Sequence, residues 1–407
     1  MGPVLLRRLF PAACVWLLGV AIVSAQTQTA QPQRPSAQEL HDAAGDVSSD
    51  PGPVDTSLSP KLTHEDVRRA MRKVADWSLE HEQPHFTQDW TYAPLYTGLL
   101  ETSKTLGDPR YHDAVLHAAE RFNWQLLPGR YDHADDEAIG QAYEALYEEN
   151  HDPMRIAAVR DNFALVMMRK RDRNKDLWWW CDALYMAPPS LAKLTQLTGD
   201  PEYLEFMERE FGLTQGHLYD YDEHLFFRDA TFLHKTEKNG KPLFWSRGNG
   251  WVLAGLAHVL TVMAKNDPGR AGFETMFRMM ATRIADLQPV DGLWRMGLLD
   301  PDAYSQGEVS GTAFFTYAMA WGVNHHLLDA AKFRPVIERA WAGMLQHVYA
   351  NGRLGAIQPI GAAPGELQAG STWSYGVGGF LQAGAEIDRG LGGASKAAPH
   401  GRNKRSH

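Results

Sequence analysis

The sequence predicts an all-α chain closed into an (α/α)6 toroid, a ring of six helical hairpins, and three observations predict it. Apolar residues recur at helical spacing while strand signals are scarce, as in Trp251-Val252-Leu253-Ala254-Gly255-Leu256-Ala257, continued by Val259, Leu260 and Met263. A weak internal repeat is present: the segment from Tyr92 leads to Leu106-Gly107-Asp108-Pro109-Arg110-Tyr111, and the segment from Ala183 leads to Thr198-Gly199-Asp200-Pro201-Glu202-Tyr203. Similar aromatic and small-residue helix starts near Asp136, Trp251, Thr312 and Trp373 bring the candidate hairpins to six. Their uneven spacings, roughly 45 to 70 residues, are wider than the ~34-residue period of an open tetratricopeptide solenoid.

Each repeat reads as helix, Gly-Asp-Pro turn, helix. Glycine closes the first helix in a left-handed conformation, aspartate caps the second, and proline suits its first position.

The chain opens with Arg7 and Arg8 before an apolar run from Leu9 to Val23, and Val23-Ser24-Ala25 offers small residues for cleavage before Gln26. Residues 1–25 are therefore expected to be a signal peptide, with the protein periplasmic or secreted. The apolar run is shorter than the roughly 20 residues a membrane span needs, and no later segment is long and charge-free enough, so no membrane insertion is expected. Residues 26–59, rich in Gln, Thr, Pro, Ser and Asp, are expected to be a disordered linker, because they carry too few large apolar side chains to offset chain entropy. Residues 60–388 form the expected catalytic domain, and residues 389–407 a flexible basic tail.

Cleavage after Ala25 leaves Cys181 as the sole cysteine, so packing rather than a disulfide must hold the domain. It also removes two arginines and no acids, moving the formal charge from −9 to −11. That excess of acid argues against nucleic acid as a partner and requires a locally basic spot for any acidic substrate.

Three clusters carry candidate chemistry. In Trp178-Trp179-Trp180-Cys181-Asp182, indoles suit the apolar faces of pyranose rings, and a desolvated carboxylate beside them holds a proton near neutrality. The structural alternative makes the tryptophans core and Asp182 a helix N-cap. In His133-Ala134-Asp135-Asp136, two acids open a helix, either as dipole-stabilised caps or as catalytic groups. His133 and these acids lack a defined ligand set elsewhere, so neither metal nor other cofactor is expected. In Trp245-Ser246-Arg247-Gly248-Asn249-Gly250-Trp251, glycines allow close backbone approach and Arg247 offers a planar fork for a carboxylate, unless it pairs internally with Asp182 or Asp136. Around Glu308-Val309-Ser310-Gly311-Thr312 the sequence reads as a helix start capped by Ser310 or Thr312.

Taken in order, Asp89-Trp90-Thr91-Tyr92, His133 to Asp136 with Gly140-Gln141, Trp179 to Pro188, Trp245 to Trp251 and Ser310-Gly311-Thr312 resemble the unsaturated rhamnogalacturonyl hydrolases of glycoside hydrolase family 105. More distantly they resemble the unsaturated glucuronyl hydrolases of family 88. The resemblance covers most of the folded region. It implies an (α/α)6 barrel, Asp182 as the catalytic aspartate and a second aspartate within the Asp135–Asp136 doublet, Asp136 being favoured. It further implies Arg247 and Trp251 in the substrate site, with Asp135, Trp90 and Trp180 as binding candidates. Relatives often carry a His-x-Trp-Asp-like stretch before the Arg-Gly motif, where this chain has Tyr221 to Asp229; His224 and Arg228 are the expected substitutes.

The implied activity is release of a 4,5-unsaturated uronic acid, galacturonyl by preference, from the non-reducing end of lyase-generated acidic oligosaccharides, by hydration of an enol ether. Two other classes fit the same residues: an inverting hydrolase of saturated glycosides, and a non-catalytic sugar-binding toroid.

Overall fold

The computed structural model describes residues 34–169 and 175–396, besides Gly2. The expected signal peptide and the last residues of the expected tail lie outside them. The described chain runs α1 (Ala37–Ala44), β1 (Gly45–Ser48), α2 (His64–His81), α3 (Ala93–Leu106), α4 (Pro109–Arg121), α5 (Ala134–Glu137), α6 (Gly140–Asn150), α7 (Met154–Met168), α8 (Ala183–Met186), α9 (Pro188–Thr198) and α10 (Glu202–Leu218). It continues through β2 (Tyr219–Asp220), β3 (Leu225–Phe226), α11 (Ser246–Val262), α12 (Arg270–Asp286), α13 (Val309–Asn324), α14 (Ala330–Leu345), β4 (Gly370–Trp373) and α15 (Ser374–Lys396).

The predicted toroid is what forms. Helices α3, α6, α9, α11, α13 and α15 each pack on the next, and α15 returns to α3, closing an inner ring; α2, α4, α7, α10, α12 and α14 lie outside it. The two layers differ as burial demands. Nearly every residue of α11 and α13 is buried, whereas α4 buries only Tyr111, Ala114, Val115, Ala118 and Ala119, the stripe of a helix with one wet face.

Helix ends follow local chemistry. Gly107 (φ 64°) closes α3, and Asp108 accepts from the Arg110 amide at 3.2 Å to cap α4; Gly199 (φ 76°) closes α9, and Asp200 accepts from the Glu202 amide at 3.0 Å. One expected cap is corrected, and the capping alternative for Asp182 is not what forms. Glu308, not Ser310 or Thr312, caps α13, accepting from the amides of Ser310 and Gly311 at 2.9 and 2.7 Å. Asp182 makes no capping hydrogen bond, which leaves its carboxylate for other use.

The expected linker is also corrected from Arg34 onward. Ser36 and Glu39 form a capping box that starts α1, and β1 pairs antiparallel with β4, Gly45 opposite Trp373 and Ser48 opposite Gly370. Arg353 then joins Asp46, and Val54 bridges Tyr349. A polar strand lacks an apolar face of its own, but here its hydrogen bonds are supplied by a partner more than 300 residues away in sequence. At the other end α15 runs past Asp388 to Lys396, so the expected tail begins as helix.

Close helix approach holds the ring together. A Cβ on Gly378 would lie 2.3 Å from the Pro94 carbonyl, and one on Gly98 would lie 2.8 Å from the Gly378 carbonyl. Gly378→Ala should therefore destabilise the protein by about 1–3 kcal/mol, read as a lower urea midpoint. Gly272→Ala, in α12 with open space around it, should be neutral or stabilising by up to about 1 kcal/mol in the same measurement.

Candidate active site

The inner helices turn their N-terminal ends to one face of the ring, and the candidate residues collect there. Asp89 and Trp90 precede α3, the aspartate doublet precedes α6, Asp182 precedes α9, Arg247 sits in the first turn of α11, and Ser374 opens α15. Beneath them Trp251 packs on Phe314 (4.3 Å between ring centres), Tyr185 (4.8 Å) and, edge-on, Trp90 (6.2 Å), forming an aromatic floor.

Asp182 is fixed through its backbone neighbours. Trp180 bridges Asp229, and the Cys181 amide donates to the Arg228 carbonyl at 2.8 Å, so the short β3 segment carries Arg228 to the carboxylate. Arg228 Nε lies 4.0 Å from Asp182 Oδ2, and its Nη1 donates to Asp229 at 2.7 Å. On the other side of Asp182, a Cβ on Gly248 would stand 3.0 Å from the Trp245 ring and 3.1 Å from Cys181 Sγ, so α11 passes close because that position has no side chain. The Cys181 thiol donates to Oδ1 at 3.3 Å, a role beyond filling space. Burial pushes the Asp182 pKa up, against the pull of Arg228, the Cys181 thiol and Arg247. Some 12 % of the side chain remains accessible, so the carboxyl still meets solvent or a ligand.

The two carboxylates of the doublet have different surroundings. Asp136 is sealed, its carboxylate taken by Arg34 and Arg130: Arg34 Nη2 donates at 2.9 Å, Arg130 Nε at 3.0 Å and Nη2 at 2.5 Å. Asp135 keeps 18 % of its side chain accessible, with Arg130 no closer than 4.0 Å and His133 Nδ1 at 3.5 Å. Burial first, then Asp89, Asp136 and Asp182, push the Asp135 pKa up to about 8, while Arg130 pulls it down. Burial and the Arg130 charge hold His133 down at about 4, so that imidazole is neutral. Asp89, quoted in the sequence only as part of a motif, is thus a third carboxylate of the site; its Oδ1 accepts from the Thr91 hydroxyl at 2.8 Å.

Other expected binding residues are redistributed. Arg247 does not present its fork: Nη1 and Nη2 donate to the carbonyls of Gln358 and Pro359 at 2.7 and 2.9 Å, and the guanidinium lies over Trp245 at 4.4 Å. It pairs with neither Asp182 nor Asp136, and acts on Asp182 only through its field. Trp251 is buried in the floor rather than offered to a ligand, and Trp90 stacks on Tyr375 at 5.5 Å with one part open. Trp180 is 3 % exposed, packed between His133 and Trp179, whereas Trp179 is 49 % exposed with the Arg228 guanidinium 5.3 Å from its ring. His224 occupies the turn between β2 and β3 at φ 55°, bonded to Tyr219 at 3.2 Å, and no hydrogen bond or ion pair joins it to the carboxylates among the described residues.

Sequence reasoning missed Gln358. Its side-chain oxygen accepts from the Trp245 indole at 2.8 Å, its amide donates to Glu308 at 3.0 Å and its side-chain nitrogen donates to Ala363 at 2.8 Å, which fixes the loop after Ala356 against α11 and α13. A single glutamine in an irregular stretch gives no periodic or motif signal. Among the described residues no group of three or more His, Cys, Asp or Glu could hold a metal ion, and no helix is long and apolar enough to cross a membrane.

Known proteins resemble this chain in sequence and in fold. The profile of Glycosyl Hydrolase Family 88 matches residues 63–391. The chain is 40 % identical over 347 residues to an unsaturated 3S-rhamnoglycuronyl hydrolase of Formosa agariphila, covering 80 % of this chain and 91 % of that protein. Its structure is similar to a family 88 glycosyl hydrolase from Bacteroides vulgatus, at TM-score 0.77 and 32 % identity over 81 % of this chain and 100 % of that chain. A possible family 105 member from Salmonella enterica, at TM-score 0.67 and 20 % identity over 80 % of this chain and 94 % of that chain, shares the fold. With six hairpins closed around a face of buried carboxylates and a profile match spanning nearly the whole toroid, the chain belongs to Glycosyl Hydrolase Family 88.

Proposed function

We propose that this enzyme removes a 4,5-unsaturated uronic acid from the non-reducing end of an acidic oligosaccharide, with a rhamnose-containing partner sugar as in the name of its Formosa relative. The observation that carries the reading is Asp182: a carboxyl whose pKa burial pushes up, facing the site without capping a helix, with a guanidinium in ion-pair range.

That set suits an enol ether. Asp182 gives its proton to C4 of the substrate, and positive charge develops at C5 and the ring oxygen, next to the carboxylate now formed on Asp182. The same carboxylate takes a proton from water as the water oxygen bonds to C5, and Asp182 is restored. The resulting hemiketal opens to a C5 ketone, and the hemiacetal left at C1 expels the partner sugar as an alcohol, leaving an aldehyde. No acid at the glycosidic oxygen is required.

Arg228, not Arg247, receives the uronate carboxylate, because both terminal nitrogens of Arg247 are spent on backbone carbonyls while Arg228 lies beside Asp182. The N-terminal ends of six inner helices add partial positive charge on the same face. Trp179, half-open and next to Arg228, is the surface for the departing sugar. Asp135, with its pKa pushed up to about 8, is a second carboxyl of the site that holds a proton at neutral pH, and the Asp182 charge contributes to that shift.

Loss of the ultraviolet absorbance of a lyase-generated unsaturated uronyl-rhamnose substrate tests the reading. The parent protein should consume the signal, and Asp182→Asn should slow it by about 10²–10⁴-fold; a parent that leaves every unsaturated uronyl substrate intact while cleaving a saturated one overturns the reaction class. Activity should be present while Asp135 holds its proton and fall as pH rises through about 8, the alkaline limb of a pH–rate profile. Arg228→Met should raise KM for the acidic substrate by about tenfold or more, the loss of one charge-assisted contact.

A further inference from the structure

The most remote contribution to the site comes from the stretch that reads as linker. Arg34 reaches across 102 residues of sequence to Asp136, donates a second hydrogen bond to the Pro128 carbonyl at 3.2 Å, and lies against Gly129, where a Cβ would approach its side chain to 3.5 Å. The rest of the strap is anchored elsewhere on the same face, with β1 laid along β4 immediately before α15. Residues 34–48 thus run from the doublet to the start of the last inner helix.

Arg130 stands between two carboxylates, at 2.5 Å from Asp136 and 4.0 Å from Asp135. Which one it serves decides whether Asp135 faces Asp182 as an unpaired group. We propose that the strap 34–48 is part of the active site and that Arg34 is a positioning residue: with Arg130 it closes on Asp136 and balances that charge, holding α5 so that Asp135 faces Asp182 beside a compensated cluster rather than in close contact with a guanidinium. The inference rests on the hydrolytic reading above for its role, though its geometry does not.

The groups that face Asp135 come from four places: Arg130 and His133 from the connection before α5, Asp136 beside it, Asp89 from the connection before α3, and Asp182 from the segment before α8. The three carboxylates favour its proton and Arg130 opposes it. Removing Arg34 takes away a positive charge nearby and leaves Arg130 drawn to Asp136, so Asp135 holds its proton more tightly. Removing the charge of Asp136 does the reverse: Arg130 is released onto Asp135, and an opposite charge in contact lowers a carboxyl pKa by about 1–3 units. The two changes act on one salt-bridged cluster yet move its neighbour in opposite directions, which simple loosening of the fold cannot do.

The experiment compares pH–rate profiles of the full-length protein, Arg34→Gln, Arg34→Lys and Asp136→Asn on the unsaturated uronyl substrate, with carboxyl-carbon NMR of aspartate-labelled protein, Asp135 being identified by Asp135→Asn. The expected result is an alkaline limb and an Asp135 titration displaced to higher pH in R34Q, restored toward the parent in R34K, and displaced down by about one unit or more in D136N. Arg34 lies on the surface strap, so R34Q decides the matter even if the buried D136N is too unstable to assay. An R34Q profile and titration that coincide with the parent's overturn the proposal. An inactive parent whose Asp135 titration still moves in R34Q as expected leaves the positioning role standing and overturns the hydrolytic reading instead.

Discussion

The contact of α3 with α15 at Gly98 and Gly378 is the constraint on which the rest depends. Backbone meets backbone there, at distances that leave no room for a Cβ, and the last hairpin is thereby locked to the first. Closure aligns the N-terminal ends of the inner helices on one face and stacks Trp90 on Tyr375 across the seam, while Ser374 donates to the Thr91 carbonyl at 2.8 Å. An open solenoid of the same hairpins would bury the same stripes but would not bring Asp89, Asp135, Asp182 and Arg228 to a common centre.

The centre is electrostatically uneven by construction. Several carboxylates share a poorly solvated face, and guanidinium groups are distributed among them unequally: two on Asp136, one beside Asp182, and none in close contact with Asp135. The unequal sharing ties one acid into ion pairs while its neighbour, pushed up to about 8, retains a proton at neutral pH. It also has a thermodynamic consequence. The Asp135 pKa is raised in the fold from an ordinary 3.8 to about 8, so the native state binds a proton the unfolded chain has lost. Its contribution to stability is fully present below about pH 4 and is lost as pH rises through about 8. Helix packing has to carry that burden, because the lone described cysteine, Cys181, is buried and forms no disulfide.

Much of this was legible in the residues. The Gly-Asp-Pro turns announced hairpin boundaries because glycine, aspartate and proline each meet a local backbone requirement, and Gly107, Asp108, Gly199 and Asp200 act as expected. Ser36 and Glu39 spelled a capping box as well, but the polar composition around them masked it. The cap of α13 falls two or four residues before the expected positions because Glu308, Ser310 and Thr312 all offer suitable oxygens, and only backbone direction selects Glu308.

What the sequence determined by itself is whatever depends on near neighbours: helical stripes, turn chemistry, and an acid set among tryptophans at Asp182. What tertiary structure decided is whatever depends on a partner distant in the chain. Asp135 and Asp136 are adjacent and chemically identical, and their surroundings differ because Arg34 and Arg130 both close on Asp136. Arg247 and Arg228 are equally good forks, and they part because the carbonyls of Gln358 and Pro359 arrive at one while β3 delivers the other to Asp182. Charge and hydrogen-bonding capacity are written in each side chain, but the geometry and dielectric that set their use come from groups the folded ring brings within a few ångströms.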